Sequence, residues 1–320
     1  MTRLAIDLLG ADTPEEELCR GAIAALKKNP DLHLFLCGHA PVLAALTDGI
    51  PEIAGRFTPV DSPVAVTNYD NPMEAYKIAD ASIVRAMTLA HEGKADGVIT
   101  CGATGAVLVC SIMLIGKLRG LRPILAVELK NAAGDPLLLL DCGANIDSRP
   151  DLYLSFAHLG DAYMKSIGYR EPRISLLSNG AEDTKGCEAV KEANKLLRNA
   201  PLHFIGNIEP TAALSGRTDV IVCDGFHGNI LLKSIEGVAK AVVDEISGEL
   251  IHATPETARV LAKVRQKYDY NTQGGAILLG VRKPVMKGHG SATGDAVENM
   301  IDRMTLLCRN GFAERVETSV

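Results

Sequence analysis

A cluster of residues capable of chemistry lies where one apolar run of the chain ends. Residues 220–233 read VIVCDGFHGNILLK, so a carboxylate, an imidazole and a carboxamide follow a run that looks like a buried strand. A purely structural role does not readily explain these residue types at the end of a buried strand, so this junction is a candidate functional site. The candidates at this turn and on the helical pattern behind it are Asp224, Gly225, Gly228, Asn229 and Lys233. His227 lies in the same turn, where an ordinary solvent-facing position explains it equally well.

Four other apolar runs end in similar turns of small and polar residues. In parallel sheets, ligands bind beyond the carboxyl ends of the strands, where helix N-termini direct free N–H groups outward. Glycine lets backbone amides approach a ligand, and successive N–H groups can bind an anion. A single glycine of this kind is explained by the turn alone. Five such turns at one edge of a sheet together predict an anion-binding surface. The further candidates are Gly10 and Asp12; Gly102, Thr104 and Gly105; Gly143, Asn145 and Asp147; and Asn179 and Gly180.

Positive charge follows several of these turns. Lys185 comes five residues after Gly180, Lys233 comes four after Asn229, and the segment VMKGHG contains Lys287 and His289. A lysine on a helix is ordinarily a solvated side chain. His289 is different, because its flanking glycines leave the imidazole no packing role, so it is a candidate site residue.

Composition excludes several classes of function. The 320 residues carry a formal net charge of −6, whereas a nucleic-acid binder shows a basic face. The chain has no Trp and only 4% aromatic residues, which disfavours a surface that stacks bases or sugar rings. Its eight cysteines form no CxxC pair, which favours a reduced cytoplasmic protein without structural zinc. No segment approaches the roughly 20 apolar residues that span a bilayer, so membrane contact is expected to be peripheral at most.

Known catalytic and cofactor motifs are also missing. The segment GATGAVL lacks the Lys-Ser/Thr of a P-loop and the complete glycine pattern of a dinucleotide site. No G-x-S-x-G elbow and no H-E-x-x-H pair occur, which leaves serine catalysis and zinc hydrolysis without support. We therefore expect no metal and no cofactor.

The elements that must position these residues follow a repeated pattern of apolar run, turn and helix. Continuous rather than alternating hydrophobicity indicates strands covered on both faces, which is typical of parallel α/β sheets. The runs cover residues 4–12, 32–38, 97–106, 124–129, 136–145, 173–180, 202–207 and 219–229. Helices are predicted over 14–29 and 186–200, and over a segment with Thr254 as its cap and Pro255 as its first residue. We predict one three-layer α/β/α domain over 1–320, with 244–268 as a candidate projecting helical segment.

Seven motifs, in order along nearly the whole chain, resemble those of the PlsX-type phosphate acyltransferases of bacterial phospholipid synthesis. They are DLLGAD, TCGATGAV, LDCGANIDSRP, LLSNGAEDTKG, VCDGFHGNILLKSIEG, YNTQGGAILLG and VMKGHG. The fifth resembles the family pattern Asp-Gly-Phe-x-Gly-Asn, and the first adds Asp7 to the candidate residues. Ala11 and Ala103 stand where the family has a glycine and an asparagine.

The resemblance implies a fold like that of isocitrate dehydrogenase and phosphotransacetylase, and a homodimer. It implies that acyl-carrier-protein thioester and inorganic phosphate give acyl phosphate and free carrier protein. Loop amides, Asn145 and Asn229 are then the expected oxyanion donors. Lys185, Lys233, Lys287 and His289 are expected to neutralise phosphate or to protonate the leaving sulfur.

Other functions remain open at this point. One is an acyl-CoA:phosphate transacylase, and another is a non-catalytic relative that binds a carrier protein or an acyl group. The family's basic stretch is reduced here to EAYKIADASI with Lys77, and the segment before YNTQGG is more charged than the family's membrane-contacting tip. A dehydrogenase on the related fold is disfavoured, since no ribose-binding acid follows a glycine fingerprint.

Overall fold

The structure, a computed structural model, describes residues 1–250, 254–269 and 274–319. The chain divides into two compact units, one formed by residues 1–123 with 274–319 and the other by residues 124–273. Part of the motif YNTQGGAILLG, residues 270–273, lies outside the described residues, as do residues 251–253 of the predicted projecting segment.

Eleven strands are seen in the described part of the chain. They are β1 Thr2–Asp7, β2 Leu32–Gly38, β3 Phe57–Asp61, β4 Gly97–Thr100, β5 Ile124–Lys130, β6 Pro136–Leu140, β7 Ile174–Leu177, β8 Phe204–Ile208, β9 Val220–Val222, β10 Ala276–Leu279 and β11 Val285–Lys287.

Eleven α-helices accompany these strands within the same described ranges. They are α1 Glu15–Lys28, α2 Ala40–Thr47, α3 Pro72–Ala75, α4 Ser82–His91, α5 Thr104–Cys110, α6 Pro150–Ser166, α7 Glu188–Arg198, α8 Gly225–Glu249, α9 Pro255–Tyr268, α10 Gly294–Arg309 and α11 Phe312–Ser319. A π-helical turn, Ser111–Ile115, follows α5, and two 3-10 turns cover Pro51–Ile53 and Pro210–Ala212. None of the described helices is long and apolar enough to cross a membrane.

The first unit is built on strands in the order β3-β2-β1-β4-β11-β10. All neighbours in this row are parallel except β10 and β11. Helices α1 and α10 pack against each other and against strands, while α4 packs on β1 and β2. Gly21 allows the close approach of the first pair, since a Cβ there would collide with the backbone of Gly294. Leu4 and Leu34 are completely buried between these layers.

The second unit has the strand order β5-β6-β9-β7-β8. Only the β5–β6 pair is antiparallel. Helix α6 packs on β6 and β9 and against α7, while α8 packs on β6 and against α9. Gly160 brings α6 close to the sheet, because a Cβ there would lie 2.6 Å from Cγ1 of Val220.

The mostly parallel α/β fold predicted from the sequence is confirmed. Each of the eight apolar runs overlaps a strand, and the helices predicted over 14–29 and 186–200 are α1 and α7. Helix α9 begins as predicted, with Thr254 Oγ1 accepting the Thr257 N–H. The sequence patterns did not reveal β3, β10 and β11, which have five, four and three residues. In β3, Thr, Pro and Asp interrupt the apolar pattern, and none of its residues is fully buried. A single domain over 1–320 stays a prediction.

Candidate active site

In the first unit, Asp7 organises the carboxyl ends of the strands. Strand register places Asp7, Thr100 and Lys287 side by side on β1, β4 and β11. Asp7 is 2% exposed, and its carboxylate accepts hydrogen bonds from Ser82 Oγ at 2.5 Å, Thr100 Oγ1 at 2.6 Å and the Leu9 N–H at 3.2 Å. Burial raises the pKa of Asp7 to about 6. Asp7 therefore positions the loops from within the protein.

The turns beside Asp7 are shaped by close backbone contacts. Gly10 has φ +78°, and a Cβ there would lie 2.6 Å from the Val66 carbonyl oxygen. The Gly102 N–H donates to Thr100 Oγ1 at 3.0 Å, and a Cβ on Gly105 would lie 2.9 Å from Cγ of Pro72. These three glycines are thus explained by packing and turn geometry. Exposed Thr104 begins α5, whose N-cap Ala103 provides no side-chain cap.

Two predicted residues, Asp12 and His289, lie on adjoining loops of the same unit. The Asp12 and Thr13 N–H groups both donate to the Gly290 carbonyl, at 2.8 and 3.0 Å. His289 Nδ1 accepts the Ser291 N–H at 3.2 Å and lies 2.8 Å from Ser291 Oγ. An Nδ1 that accepts leaves the proton of a neutral imidazole on Nε2. His289 is exposed and presents this Nε2–H as a hydrogen-bond donor.

In the second unit, Asp141 organises a second set of turns. Register aligns Leu140, Val222 and Leu176, so the turns after β6, β9 and β7 are neighbours. Buried Asp141 accepts from the N–H groups of Leu125, Ala144 and Asn145 at 3.1, 3.1 and 2.7 Å, and from Asn145 Nδ2 at 2.9 Å. Burial raises its pKa. The amides that the sequence offers to an anion at Ala144 and Asn145 are already paired with this carboxylate.

Backbone N–H groups at the start of α8 are likewise paired with a carboxylate, that of the N-cap residue Asp224. Asp224 Oδ1 accepts the Phe226 and His227 N–H groups at 3.0 and 2.9 Å. The Gly228 N–H donates to the Asp224 carbonyl, and the Gly225 N–H donates to the Asn145 carbonyl. The expectation of free amides at this turn is therefore wrong. Gly225 and Gly228 serve close packing, since a Cβ on either would collide with the Asn145 or Asp141 backbone.

Asp224 also holds an imidazole. Its Oδ2 lies 2.6 Å from His227 Nδ1 and accepts from Tyr153 OH at 3.2 Å. Asp224 is 7% exposed, whereas the His227 side chain is 63% exposed. A carboxylate facing Nδ1 selects the tautomer with the proton on Nδ1 and leaves Nε2 as an acceptor. Sequence reasoning left His227 undecided, although its position three residues after Asp224 at a helix start was a usable local signal.

A cavity of about 570 Å³ adjoins this pair within the second unit. We call it the α7–α8 cavity. Its apolar wall includes Leu177, Val190, Ile230 and Leu231, and its polar edge includes Asp224 and His227. Cys187, which precedes α7, also lines the cavity and is exposed, and no side chain caps α7 at that residue.

The remaining predicted residues of this unit lie in different surroundings. Lys185 lies over Gly180, where a Cβ would meet its Cγ at 2.6 Å, and among the described residues it has no ion-pair partner. Lys233 Nζ is instead paired with Glu236 at 2.8 Å. Asn229 and Asp147 are exposed.

The predicted residues thus fall into two groups, each assembled within one unit. The first unit holds Asp7, Gly10, Asp12, Gly102, Thr104, Gly105, Lys287 and His289. The second holds Asn145, Asp147, Gly180, Lys185, Asp224, Gly225, Gly228, Asn229 and Lys233. Their roles in binding and catalysis stay predictions. Within the described ranges, no three His, Cys, Asp or Glu side chains are grouped to hold a metal ion.

Sequence comparison connects this arrangement to a family. A family model described as "Fatty acid synthesis protein" matches residues 2–315. A phosphate acyltransferase of Clostridium acetobutylicum is 33% identical, covering 98% of this chain and 97% of its own. Those of Shouchella clausii and Halalkalibacterium halodurans are 38% and 37% identical, covering 93% and 99% of this chain and 92% and 96% of theirs.

Several solved structures share the fold of this chain. A phosphotransacetylase of Streptococcus pyogenes superposes with a TM-score of 0.66 at 17% identity, covering 98% of this chain and 94% of its own. A branched-chain phosphotransacylase of Enterococcus faecalis gives 0.60 at 16% identity, covering 96% and 99%. A 4-hydroxythreonine-4-phosphate dehydrogenase of Klebsiella pneumoniae gives 0.57 at 14% identity, covering 96% and 100%. The sequence relatives decide among these activities: the chain belongs to the phosphate acyltransferase family and is an enzyme that transfers an acyl group to phosphate.

Proposed function

We propose that the enzyme takes a fatty acyl group from the thioester of acyl-carrier protein and transfers it to inorganic phosphate. The products are acyl phosphate, which enters phospholipid synthesis, and free carrier protein. The reaction needs no cofactor, takes place in the cytoplasm, and is carried out by a homodimer whose membrane contact is peripheral at most.

The observation that carries the proposal is that each unit leaves one cationic or proton-bearing group available for an anion. Lys185 in the second unit has no carboxylate partner among the described residues, and His289 in the first presents Nε2–H to solvent. Hydrogen phosphate is itself the nucleophile, so the protein must orient it and stabilise charge. In intramolecular reactions, orientation supplies about 7–11 kcal/mol of the barrier. One oxyanion donor supplies about 3–4 kcal/mol.

The chemistry balances without an enzyme nucleophile. An oxygen of hydrogen phosphate attacks the thioester carbonyl, the C–S bond breaks, and the phosphate proton ends on sulfur. The thioester and HPO₄²⁻ thus become acyl phosphate dianion and a free thiol. Lys185 is assigned to phosphate, and the exposed Asn229 is the assigned donor to an oxygen atom that gains charge. The His289 Nε2–H is the corresponding donor that the first unit offers. Lys233 and Lys287 add positive charge near the turns of their own units.

The experiment that tests the donor incubates the protein with phosphate and either an acyl-carrier protein or an acyl-CoA. Hydroxylamine then traps acyl phosphate as the hydroxamate. Product from the carrier thioester is expected. Product from acyl-CoA alone would reassign the donor, and no product from either would indicate a non-catalytic relative.

The proposed dimer is supported by an apolar stripe on α8. Val238, Val242 and Ile246 are 63%, 46% and 43% exposed, and their spacing of four places them along one face of the helix. On α9, Val260 and Val264 are exposed at the same spacing. A second copy of the chain is the proposed occupant of this apolar surface, which is costly to leave in water.

A further inference from the structure

The α7–α8 cavity has the character of a site for a molecule that is apolar along most of its length. Its wall of Leu177, Val190, Ile230 and Leu231 offers no charge. At about 570 Å³ it falls within the range of ligand pockets, roughly 300–1,000 Å³. Its polar lining includes Asp224 and His227 together with Ser178, Asn179 and Ser234, so the cavity also offers groups that can recognise the polar end of such a ligand.

The Asp224–His227 pair has the geometry of an oriented general base. Asp224 is buried and its two oxygens receive four contacts, two from backbone N–H groups, one from Tyr153 OH and one from His227 Nδ1. Its position is therefore fixed by the helix start that it caps. A base oriented in this way by a third group is the usual arrangement for activating a nucleophile. His227 occupies the unspecified position x of the motif Asp-Gly-Phe-x-Gly-Asn.

We propose that the α7–α8 cavity binds the acyl thioester, with the acyl chain along the apolar wall and the thioester at its polar edge, and that His227 Nε2 relays the proton of the reaction. Nε2 accepts the proton of hydrogen phosphate as phosphate oxygen attacks the carbonyl carbon. It then donates that proton to the sulfur as the C–S bond breaks, so His227 ends as it began. The proposal rests on the proposed function and assigns its acyl site.

The groups around His227 are suited to this relay. The titratable groups that line the cavity with it are Asp224, which contacts Nδ1, and Tyr153, Cys187 and Cys223. Burial raises the pKa of Tyr153 and of Cys223, so both stay protonated across the range of about pH 5 to 8 in which histidine exchanges protons. The Asp224 carboxylate stabilises the transient imidazolium without taking its proton.

The first test replaces the imidazole and keeps its contact with Asp224. In His227→Asn, the carboxamide nitrogen can still donate to Asp224, but no group replaces Nε2. We expect kcat to fall by about 10²–10⁴, the usual share of general acid–base catalysis, with little change in KM for the thioester. In His227→Ala, added imidazole should restore part of the rate. The matched control is His203→Asn, an exposed histidine of the same unit, which should retain full activity.

The second test detects occupancy without relying on turnover. Cys187 is the exposed cysteine among the eight, Cys308 is half-buried, and the other six are buried. Peptide mapping after brief treatment with N-ethylmaleimide should therefore report mainly on Cys187, with Cys187→Ser as the assignment control. Hexadecanoyl-CoA at ten times its Kd should slow this labelling about tenfold, whereas phosphate alone should not.

The two tests separate failure of the acyl site from failure of the function. Slowed labelling together with an impaired His227→Asn variant supports the proposal. A protein that makes acyl phosphate but leaves Cys187 fully reactive, or a fully active His227→Asn, overturns it and leaves the proposed function intact. If the wild type forms no acyl phosphate, the proposed function and the relay both fail, and Cys187 labelling decides whether the cavity binds the chain.

Discussion

At the residue scale, the buried carboxylates Asp7, Asp141 and Asp224 organise the turns at the strand ends. Each accepts backbone or hydroxyl hydrogen bonds that would otherwise be available to a ligand. Sequence reasoning placed Asp7 and Asp224 at the strand ends, but it assigned them to substrate. A strand-end carboxylate looks the same in a sequence whether it points outward or inward.

His289 provides a residue-scale test of the proposed anion site. Because Nδ1 accepts from the Ser291 N–H, the group available to substrate is Nε2–H. Removing one such donor in His289→Ala should lower the rate of acyl phosphate formation by about 10²-fold or more. His289→Gln places an amide N–H near the same position and should recover much of that loss. Equal rates for the alanine variant and the wild type would remove His289 from the site.

Asp7 gives a pH-dependent prediction about stability. The pKa of Asp7 is about 6 in the folded protein, whereas the ordinary pKa of this carboxyl is 3.8. The folded state therefore binds this proton more tightly than the unfolded state. Ionisation of Asp7 therefore lowers the free energy of unfolding. The cost is absent below pH 3.8, grows as pH rises, and is complete above pH 6. It amounts to about 3 kcal/mol at most.

The measurement compares urea unfolding of the wild type and Asp7→Asn at several pH values from 4 to 7. As pH rises, the free energy of unfolding of the wild type should fall relative to that of the variant. Parallel curves for the two proteins would show that the Asp7 pKa is not raised.

At the element scale, glycines decide how closely the turn after β6 can approach α8. Sequence reasoning identified these glycines but interpreted them as positions where backbone N–H groups bind an anion. The structure explains Gly225 and Gly228 by contact with the backbone of the neighbouring turn. Such contacts join positions 80 or more residues apart, so no local pattern could reveal them. Tyr153, 71 residues from Asp224, was missed for the same reason.

Gly228 and Gly237 on α8 make a matched pair for this explanation. A Cβ at Gly228 would collide with the Asp141 carbonyl, whereas a Cβ at Gly237 has nothing within 4 Å. Gly228→Ala should therefore lower the free energy of unfolding by about 1–3 kcal/mol through overpacking. Gly237→Ala should raise it by up to about 1 kcal/mol through helix propensity. Urea unfolding measures both, and a neutral Gly228→Ala would contradict the close approach.

At the scale of the whole molecule, hydrophobic runs and their turns predicted the mostly parallel fold, because strands buried on both faces are continuously apolar. Residues that pair across the sequence, such as Asp7 with Ser82 or Asp141 with Leu125, needed the structure. Family membership follows from similarity over residues 2–315.

The proposed dimer is tested by a change on the apolar stripe of α8. A charge at Val242 would have to be buried against the second copy, so Val242→Glu should dissociate the dimer at micromolar concentration. Light scattering should give about twice the 34.0 kDa chain mass for the wild type and about one chain mass for the variant. Lys240→Glu, an exposed change on the same helix, should stay dimeric. A monomeric wild type, or a dimeric Val242→Glu, would contradict the dimer on this surface.

The most direct test of acyl transfer to phosphate follows the phosphate oxygens. The pure protein is incubated with acyl-carrier-protein thioester and phosphate labelled in every position with oxygen-18, and the product is analysed by mass spectrometry. If phosphate oxygen attacks the carbonyl carbon, the acyl phosphate must retain all the labelled oxygens while free carrier protein accumulates in equal amount. Release of free fatty acid without acyl phosphate, or no reaction of the thioester, would contradict the proposed function.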